Sequence, residues 1–292
     1  MNITFYLHDE KDPIALEKML VGLGKKYRFV SWKEVYDYYY NHKTLHNTCH
    51  ITIDDGWLST YDTIYPVLKR LAIPASIFVS PKIIQSGDNF WYYEIKDCDE
   101  NLLKDLLLQE GYFSKGIEEY PLELILKEME IDDVMSVIRR YRDIHHLPKR
   151  DRGFMNLEEL KELDKSGLIE IGAHTMMHPI LALENEQRSG SEIKDSIVGL
   201  STILGKEINI FAYPNGLYGL DFGKREMDMV KACGIKLAFS VDPGEYSMKG
   251  SPYNIPRVGS ISRLRLGKLG LIIPSLHDQW KPRKRIKLLK LK

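Results

Sequence analysis

The sequence predicts an α/β fold in which a parallel sheet, covered by helices, curls into a closed or nearly closed barrel. Three observations carry this expectation. Short apolar segments alternate with helical ones through about seven or eight units along the chain, the rhythm of βα repeats rather than of a sandwich or a bundle. The strand segments are largely apolar or β-branched, as strands of a helix-covered parallel sheet are. Polar residues also collect where those strands end: His8, Asp54 and Asp55, His174 and His178, Tyr213, Asp242 and Arg257. In barrels of this kind, that end supplies the chemistry.

The elements follow in order. Residues 2–7 read as a first strand ending at His8-Asp9, and residues 13–23 have helical spacing and stop at Gly24. A short strand covers 27–30, and Ser31 with Glu34 forms a capping-box pattern that opens the next helix. The β-branched run 48–53 leads into Asp54-Asp55-Gly56, followed by a helix from about 57 to 71 and a strand at 75–79. From about 85 to 152 the rhythm stops. An aromatic cluster, Phe90-Trp91-Tyr92-Tyr93, precedes amphipathic helices at 101–109 and roughly 122–145, with no strand signal between them. This stretch reads as a helical insertion and a candidate lid.

Alternation resumes with a helix at 157–166, capped by Asn156 and Glu159. A strand at 169–172 leads into Ala173-His174-Thr175-Met176-Met177-His178-Pro179. Next come a helix from about 191 to 204, a strand at 208–213, a helix from about 222 to 232, a strand at 236–241 and a last short strand at 254–258. The expected division is one barrel over 1–280, with its insertion at about 85–152, and a basic tail over 281–292.

At 292 residues, 43% hydrophobic and 28% charged, the chain can bury a large core. Lys+Arg and Asp+Glu both number 41, which leaves no net charge to attract a polyanion. Val21-Gly22-Leu23-Gly24 lacks the spacing of a phosphate or dinucleotide loop, so no nucleic-acid or nucleotide partner is expected. Three cysteines, Cys49, Cys98 and Cys233, show no paired spacing and argue against a disulfide framework or a cysteine zinc site. Residues 1–9 have no basic segment leading into an apolar run, and no stretch approaches the ~18–20 apolar residues of a membrane span. The expectation is a cytoplasmic protein. From Lys281 onward, seven basic and no acidic residues are interleaved with Ile286, Leu288, Leu289 and Leu291. Such a tail reads either as a solvated terminus or as a peripheral contact with an anionic membrane.

Asp54 and Asp55 leave a regular strand on opposite faces, yet at a strand end before Gly56 both can reach one site. One acid could hold a metal while the other takes a proton; alternatively the triplet is only a turn. His174 and His178 are spaced i, i+4, which puts both imidazoles on one face if the segment turns helically. They are otherwise a capping or core pair. Two histidines and a carboxylate form a three-ligand set for catalytic zinc, and a zinc-held water with pKa near ~7 is what amide or ester hydrolysis requires. His42, His50, His145 and His146 read as ordinary surface or helix residues.

Ile53-Asp54-Asp55-Gly56, His174-Thr175-Met176-Met177-His178-Pro179 and Phe211-Ala212-Tyr213-Pro214-Asn215-Gly216 resemble, in order, three motifs of the polysaccharide deacetylases. This is the NodB-homology group, carbohydrate esterase family 4. Phe90-Trp91, residues 187–196 and Ile255-Pro256-Arg257 also look like its bacterial members. The resemblance implies a deformed (β/α)7-8 barrel of the NodB type and a metal-dependent hydrolase that removes acetyl from N-acetylated sugars. By that resemblance Asp55, His174 and His178 hold a divalent metal, taken as Zn2+, and Asp54 is the general base. A backbone N–H near Tyr213–Asn215 would help stabilise the oxyanion.

Two motif positions depart from the family. Ala212 stands where the third motif often carries Arg, and Arg257 is the candidate replacement beside Asp54. The family's late Leu-x-His has only Leu276-His277 to offer, which leaves leaving-group protonation open among His277, His8 and the metal site. The expected substrate is an N-acetylated sugar or lipid-linked glycan in surface-polysaccharide or lipopolysaccharide assembly. The alternatives are O-acetyl or N-formyl removal, or a catalytically silent sugar-binding barrel.

Overall fold

A computed structural model describes residues 1–259. Seven strands form one sheet: β1 (Asn2–Leu7), β2 (Arg28–Phe29), β3 (Thr48–Ile53), β4 (Ala75–Val79), β5 (Ile169–Ala173), β6 (Ile210–Ala212) and β7 (Leu237–Phe239). All pair in parallel, in the order β1-β3-β4-β5-β6-β7. β2 pairs with Thr48 and Cys49 at the start of β3, and β4 takes up β3 from Ile51 onward. Every residue of β3 and β4 is buried, the polar Thr48, His50 and Thr52 included, so the sheet is covered on both faces here. Phe239 bridges to Ile255 and Phe5 to Val258, so residues 255–258 run between β7 and β1 and join the two sheet edges. The architecture is a curled parallel half-barrel with surrounding helices, the deformed (β/α) barrel expected from the sequence.

The helices are α1 (Pro13–Gly24), α2 (Trp32–Tyr40), α3 (Tyr65–Leu71), α4 (Pro81–Ser86), α5 (Trp91–Glu94), α6 (Glu100–Gln109), α7 (Leu122–Leu126), α8 (Ile131–Ile144), α9 (Leu157–Lys165), α10 (Glu186–Leu204) and α11 (Lys224–Ala232). Reciprocal capping boxes close at Ser31/Glu34 and Asn156/Glu159. Two expected helices differ. The helix at 57–71 is helical from Leu58 but widens to a π-helical stretch over Thr60–Ile64 before α3, next to Pro66, which has no N–H to give the preceding turn. The helix at 122–145 is two, because the Ile131 amide donates to Glu184 Oε1 (2.8 Å) instead of continuing from α7.

Between β4 and β5 the described chain is helical, and this insertion has its own apolar cluster of Leu103, Leu107, Ile125, Val134, Val137 and Ile138. Trp91 and Met177 join that cluster to the barrel. His50 is not a surface residue: it is fully buried, with Nδ1 2.8 Å from Val30 O and Nε2 2.9 Å from Ser76 Oγ. No helix among the described residues is long and apolar enough to cross a membrane. His277 and the basic tail lie outside the described residues.

Candidate active site

β3 leaves the sheet through Asp54, Asp55 and Gly56. The Asp54 amide still belongs to the ladder, donating to Leu7 O (3.0 Å). Asp55 and Gly56 then take φ of 70° and 69°, and this bend lets neighbouring carboxylates turn to one place. A Cβ on Gly56 would stand 2.7 Å from Val79 Cγ1, so both φ and space demand glycine. A non-glycine residue such as Asp55 in the left-handed region is a strained placement typical of functional sites. Trp57 Nε1 donates to Asp55 Oδ2 (3.0 Å), while Asp55 Oδ1 is buried and accepts no hydrogen bond.

β5 delivers the histidines. The His174 amide donates to Val79 O (3.1 Å), and its Nδ1 lies 2.7 Å from Ala212 O at the end of β6. That bond places the ring hydrogen on Nδ1 and the lone pair on Nε2. The segment to His178 is not the helical turn that the i, i+4 spacing suggested: Thr175 and His178 have φ of 63° and 59°. Thr175 Oγ1 accepts the His178 amide (3.1 Å). From α10, Glu192 Oε2 accepts the amides of Met176 and Met177 at 2.8 and 2.9 Å. Glu192 is itself buried, and Arg188 lies 3.3 Å from it. Its role was not legible in the sequence, because only the fold sets it under the loop.

His174 Nε2 and His178 Nε2 each lie 3.5 Å from Asp55 Oδ1. The ligand atoms of all three residues fall within 4.8 Å of one another, in buried surroundings. The open Asp55 Oδ1 and the oriented His174 Nε2 fit a divalent cation, so this buried group could hold one. Burial opposes ionisation of Asp55, but His174 and His178 outweigh it and hold the carboxyl well below the usual range. Burial pushes His178 down to about 3, keeping its imidazole neutral, the form that binds metal. At His174 burial acts downward too, but Asp55 and Asp54 prevail and raise it. Two adjacent carboxylates call for positive charge at this point.

Arg257 meets Asp54 in a two-pronged pair, Nη1 to Oδ1 at 2.7 Å and Nη2 to Oδ2 at 2.8 Å. It also donates to Ser240 O (2.7 Å) and Thr52 Oγ1 (3.3 Å), and it is fully buried. Burial would raise Asp54; Arg257 first, then His174 and His8, hold it below the usual carboxylate value. His8, with 48% of its side chain exposed, has Nε2 3.8 Å from Asp54 Oδ2.

The hydroxyl, amide and ring of Tyr213 are all engaged with other residues. Its hydroxyl donates to Tyr253 O (3.0 Å), its amide to Phe239 O (3.1 Å), and its ring stacks on Phe222 at 3.7 Å. Asn215 has φ of 58°, and its side-chain Nδ2 is buried without a partner. It lies three residues beyond Ala212, whose carbonyl holds His174. Tyr92 reaches the site from α5, its ring 5.1 Å from that of His178. Burial pushes its hydroxyl well above the usual tyrosine range, and the Asp55 carboxylate adds to this. The aromatic cluster was visible in the sequence, but not its approach to the histidine loop.

The sequence profile of the polysaccharide deacetylase family matches residues 41–237. Among solved structures, IcaB from Ammonifex degensii is similar at 19% identity and a TM-score of 0.61, over 99% of this chain and 97% of that one. The Streptococcus pyogenes deacetylase PplD, solved in complex with acetate, is similar at 16% identity and a TM-score of 0.58, over 88% and 90% of the two chains. The BpsB deacetylase domain from Bordetella bronchiseptica is similar at 16% identity and a TM-score of 0.57, over 88% and 95%. At these identities the likeness is one of fold. No match to the chain is found among curated proteins. The matched span runs from before β3 to the start of β7 and contains Asp54, Asp55, His174 and His178, so the chain belongs to the polysaccharide deacetylase family.

Proposed function

We propose that this chain is a metal-dependent N-deacetylase of an N-acetylated sugar, with Asp55, His174 and His178 holding Zn2+ and Asp54 acting as general base. The observation that carries this reading is the convergence of three ligand atoms on one buried point, with a second carboxylate on the adjoining residue. Two imidazoles and one carboxylate form a donor set of catalytic zinc that leaves a further position open. A cation held by these residues would supply Lewis acidity, polarising an acyl carbonyl and lowering the pKa of water from 15.7 toward ~7.

A base of low basicity then suffices. Asp54, kept ionised by Arg257, accepts a proton from water as the water oxygen bonds to the acyl carbon. The backbone amide of Asn215, rather than that of Tyr213, is the donor for the carbonyl oxygen as it gains negative charge. As the C–N bond breaks, the departing nitrogen takes up a proton and acetate forms. His8, beside Asp54 and open to solvent, is placed to carry that proton. The acetate complex of PplD supports acetate as a product.

The substrate we propose is a glycan intermediate of surface-polysaccharide or lipopolysaccharide assembly, lipid-linked and presented to a cytoplasmic enzyme. The basic, leucine-rich stretch from Lys281 supports a membrane contact. Liposome flotation of the full chain against a truncation at Pro282 tests that contact, and equal behaviour of the two removes it. Metal analysis together with acetate release from N-acetylhexosamine oligomers, compared with O-acetylated and N-formylated ones, tests the reaction. Asp54→Asn is expected to keep its metal and lose about 10²–10⁴-fold in turnover; undiminished turnover refutes the assignment of the base.

A further inference from the structure

Tyr92 stands at the candidate site with a buried hydroxyl on which the Asp55 carboxylate acts. Its ring stacks on Phe90 at 5.3 Å and meets His178 edge-on at 5.1 Å and Trp91 at 5.5 Å. Trp57, from the loop that follows Asp55, lies 6.0 Å away, and Phe154 6.2 Å. The ring is therefore clamped between the two loops that carry Asp55 and His178. The indole N–H groups around it are engaged: Trp57 Nε1 donates to Asp55 Oδ2 and Trp91 Nε1 to His178 O (3.3 Å). The Tyr92 hydroxyl, like Asn215 Nδ2, is buried and makes no hydrogen bond of good geometry. Leaving such a group unmet costs on the order of 1–3 kcal/mol, and a buried donor of that kind calls for an explanation.

The Asn215 amide assigned above is a single donor, and a carbonyl oxygen gaining negative charge can accept a second. Arg257 directs its guanidinium at Asp54, Ser240 and Thr52. A fixed phenol O–H in an apolar wall beside Asp55 and His178 is a preorganised donor for developing negative charge.

We propose that Tyr92 is a catalytic residue whose hydroxyl donates a hydrogen bond to the acyl carbonyl oxygen as that oxygen becomes negative. The phenol keeps its proton throughout, and no covalent step passes through it. This inference rests on the acyl-hydrolase reading above.

Tyr92→Phe removes the donor and keeps the ring. In the zinc-loaded protein, kcat for acetate release is expected to fall roughly 10²–10³-fold, with KM changing by less than about threefold. Zn2+ affinity, measured by competition with a chromophoric chelator, is expected to stay unchanged. Acetate binding to the zinc-loaded variant, followed by calorimetry, is expected to weaken about tenfold, a readout that needs no turnover. Tyr92→His returns an N–H to the wall and is expected to recover part of the turnover at the same zinc affinity. A Phe variant that turns over and binds acetate like the parent overturns the role of Tyr92 and leaves the deacetylase reading intact. A zinc affinity that falls in step with turnover also overturns it, making Tyr92 a support for Asp55. A parent protein that releases no acyl group from any acylated sugar removes the deacetylase reading, and the role of Tyr92 with it.

Discussion

Arg257 is a fully buried cation whose donors go to Asp54, Ser240 and Thr52, with the Tyr6 ring 5.0 Å from its guanidinium carbon. Removing one partner of such a pair strands the other in an apolar interior. Arg257→Ala is expected to lower stability by about 3–5 kcal/mol in urea unfolding, and Arg257→Lys, which lacks the fork, is expected to recover only part of it. His50 shows a pH dependence of its own. Burial pushes its imidazole down to about 4 from an ordinary 6.5. Above pH ~6.5 folded and unfolded chains are both neutral at His50; below it the unfolded chain takes up a proton that the folded chain refuses until about pH 4. Stability is therefore expected to fall by about 3 kcal/mol across that window. His50→Asn is expected to flatten this limb in unfolding measured from pH 7 to 4. The sequence marked Asp54, Asp55, His174 and His178 because each sits beside a strand end in a short motif. It did not mark His50 as buried, because its partners Val30 and Ser76 come from other parts of the chain. Tyr213 sits in a motif too, yet its ring is taken up by Phe222.

At the scale of elements, two tight connections do the positioning. The turn after β3 depends on Gly56, and Gly56→Ala places a methyl against Val79 at a φ that side chains rarely adopt. A loss of about 1–3 kcal/mol, with weakened ion binding, is expected from thermal melts with and without Zn2+. The loop after β5 depends on Glu192. Glu192→Ala frees the amides of Met176 and Met177 and is expected to weaken Zn2+ binding roughly 10–100-fold in a chelator competition, with the barrel still folded. Strands and capping boxes were legible because their signals are local: a β-branched run for β3, a largely apolar one for β4, and reciprocal side chains at Ser31/Glu34 and Asn156/Glu159. The π-turn at Thr60–Ile64 and the break between α7 and α8 were not, since one depends on how Pro66 is accommodated and the other on a bond from Glu184.

At the scale of the whole molecule, the ligands of the candidate metal site come from β3 and β5, which are not neighbours in the sheet but flank β4. A cation bound to all three side chains ties those strands across the barrel and stabilises only the folded chain. At 100 times its Kd, a single ion adds about 2.7 kcal/mol. A melting temperature that rises with Zn2+ and returns on chelation is expected for the parent, and no such shift for His178→Ala.

The backbone also stitches the insertion to the barrel. Leu58 N donates to Gly153 O (2.9 Å) and Met155 N to Gly56 O (2.8 Å), so Trp57 and Phe154 pair as a two-residue antiparallel bridge. The far end of the insertion is thus seamed to the very turn that carries both carboxylates. A chimaera that exchanges residues 99–147 for those of a relative and spares the seam should keep its ion while presenting a new rim to the sugar. One cut at 153–155 should lose the ion, which makes the helical segment an interchangeable module on a fixed hydrolytic chassis.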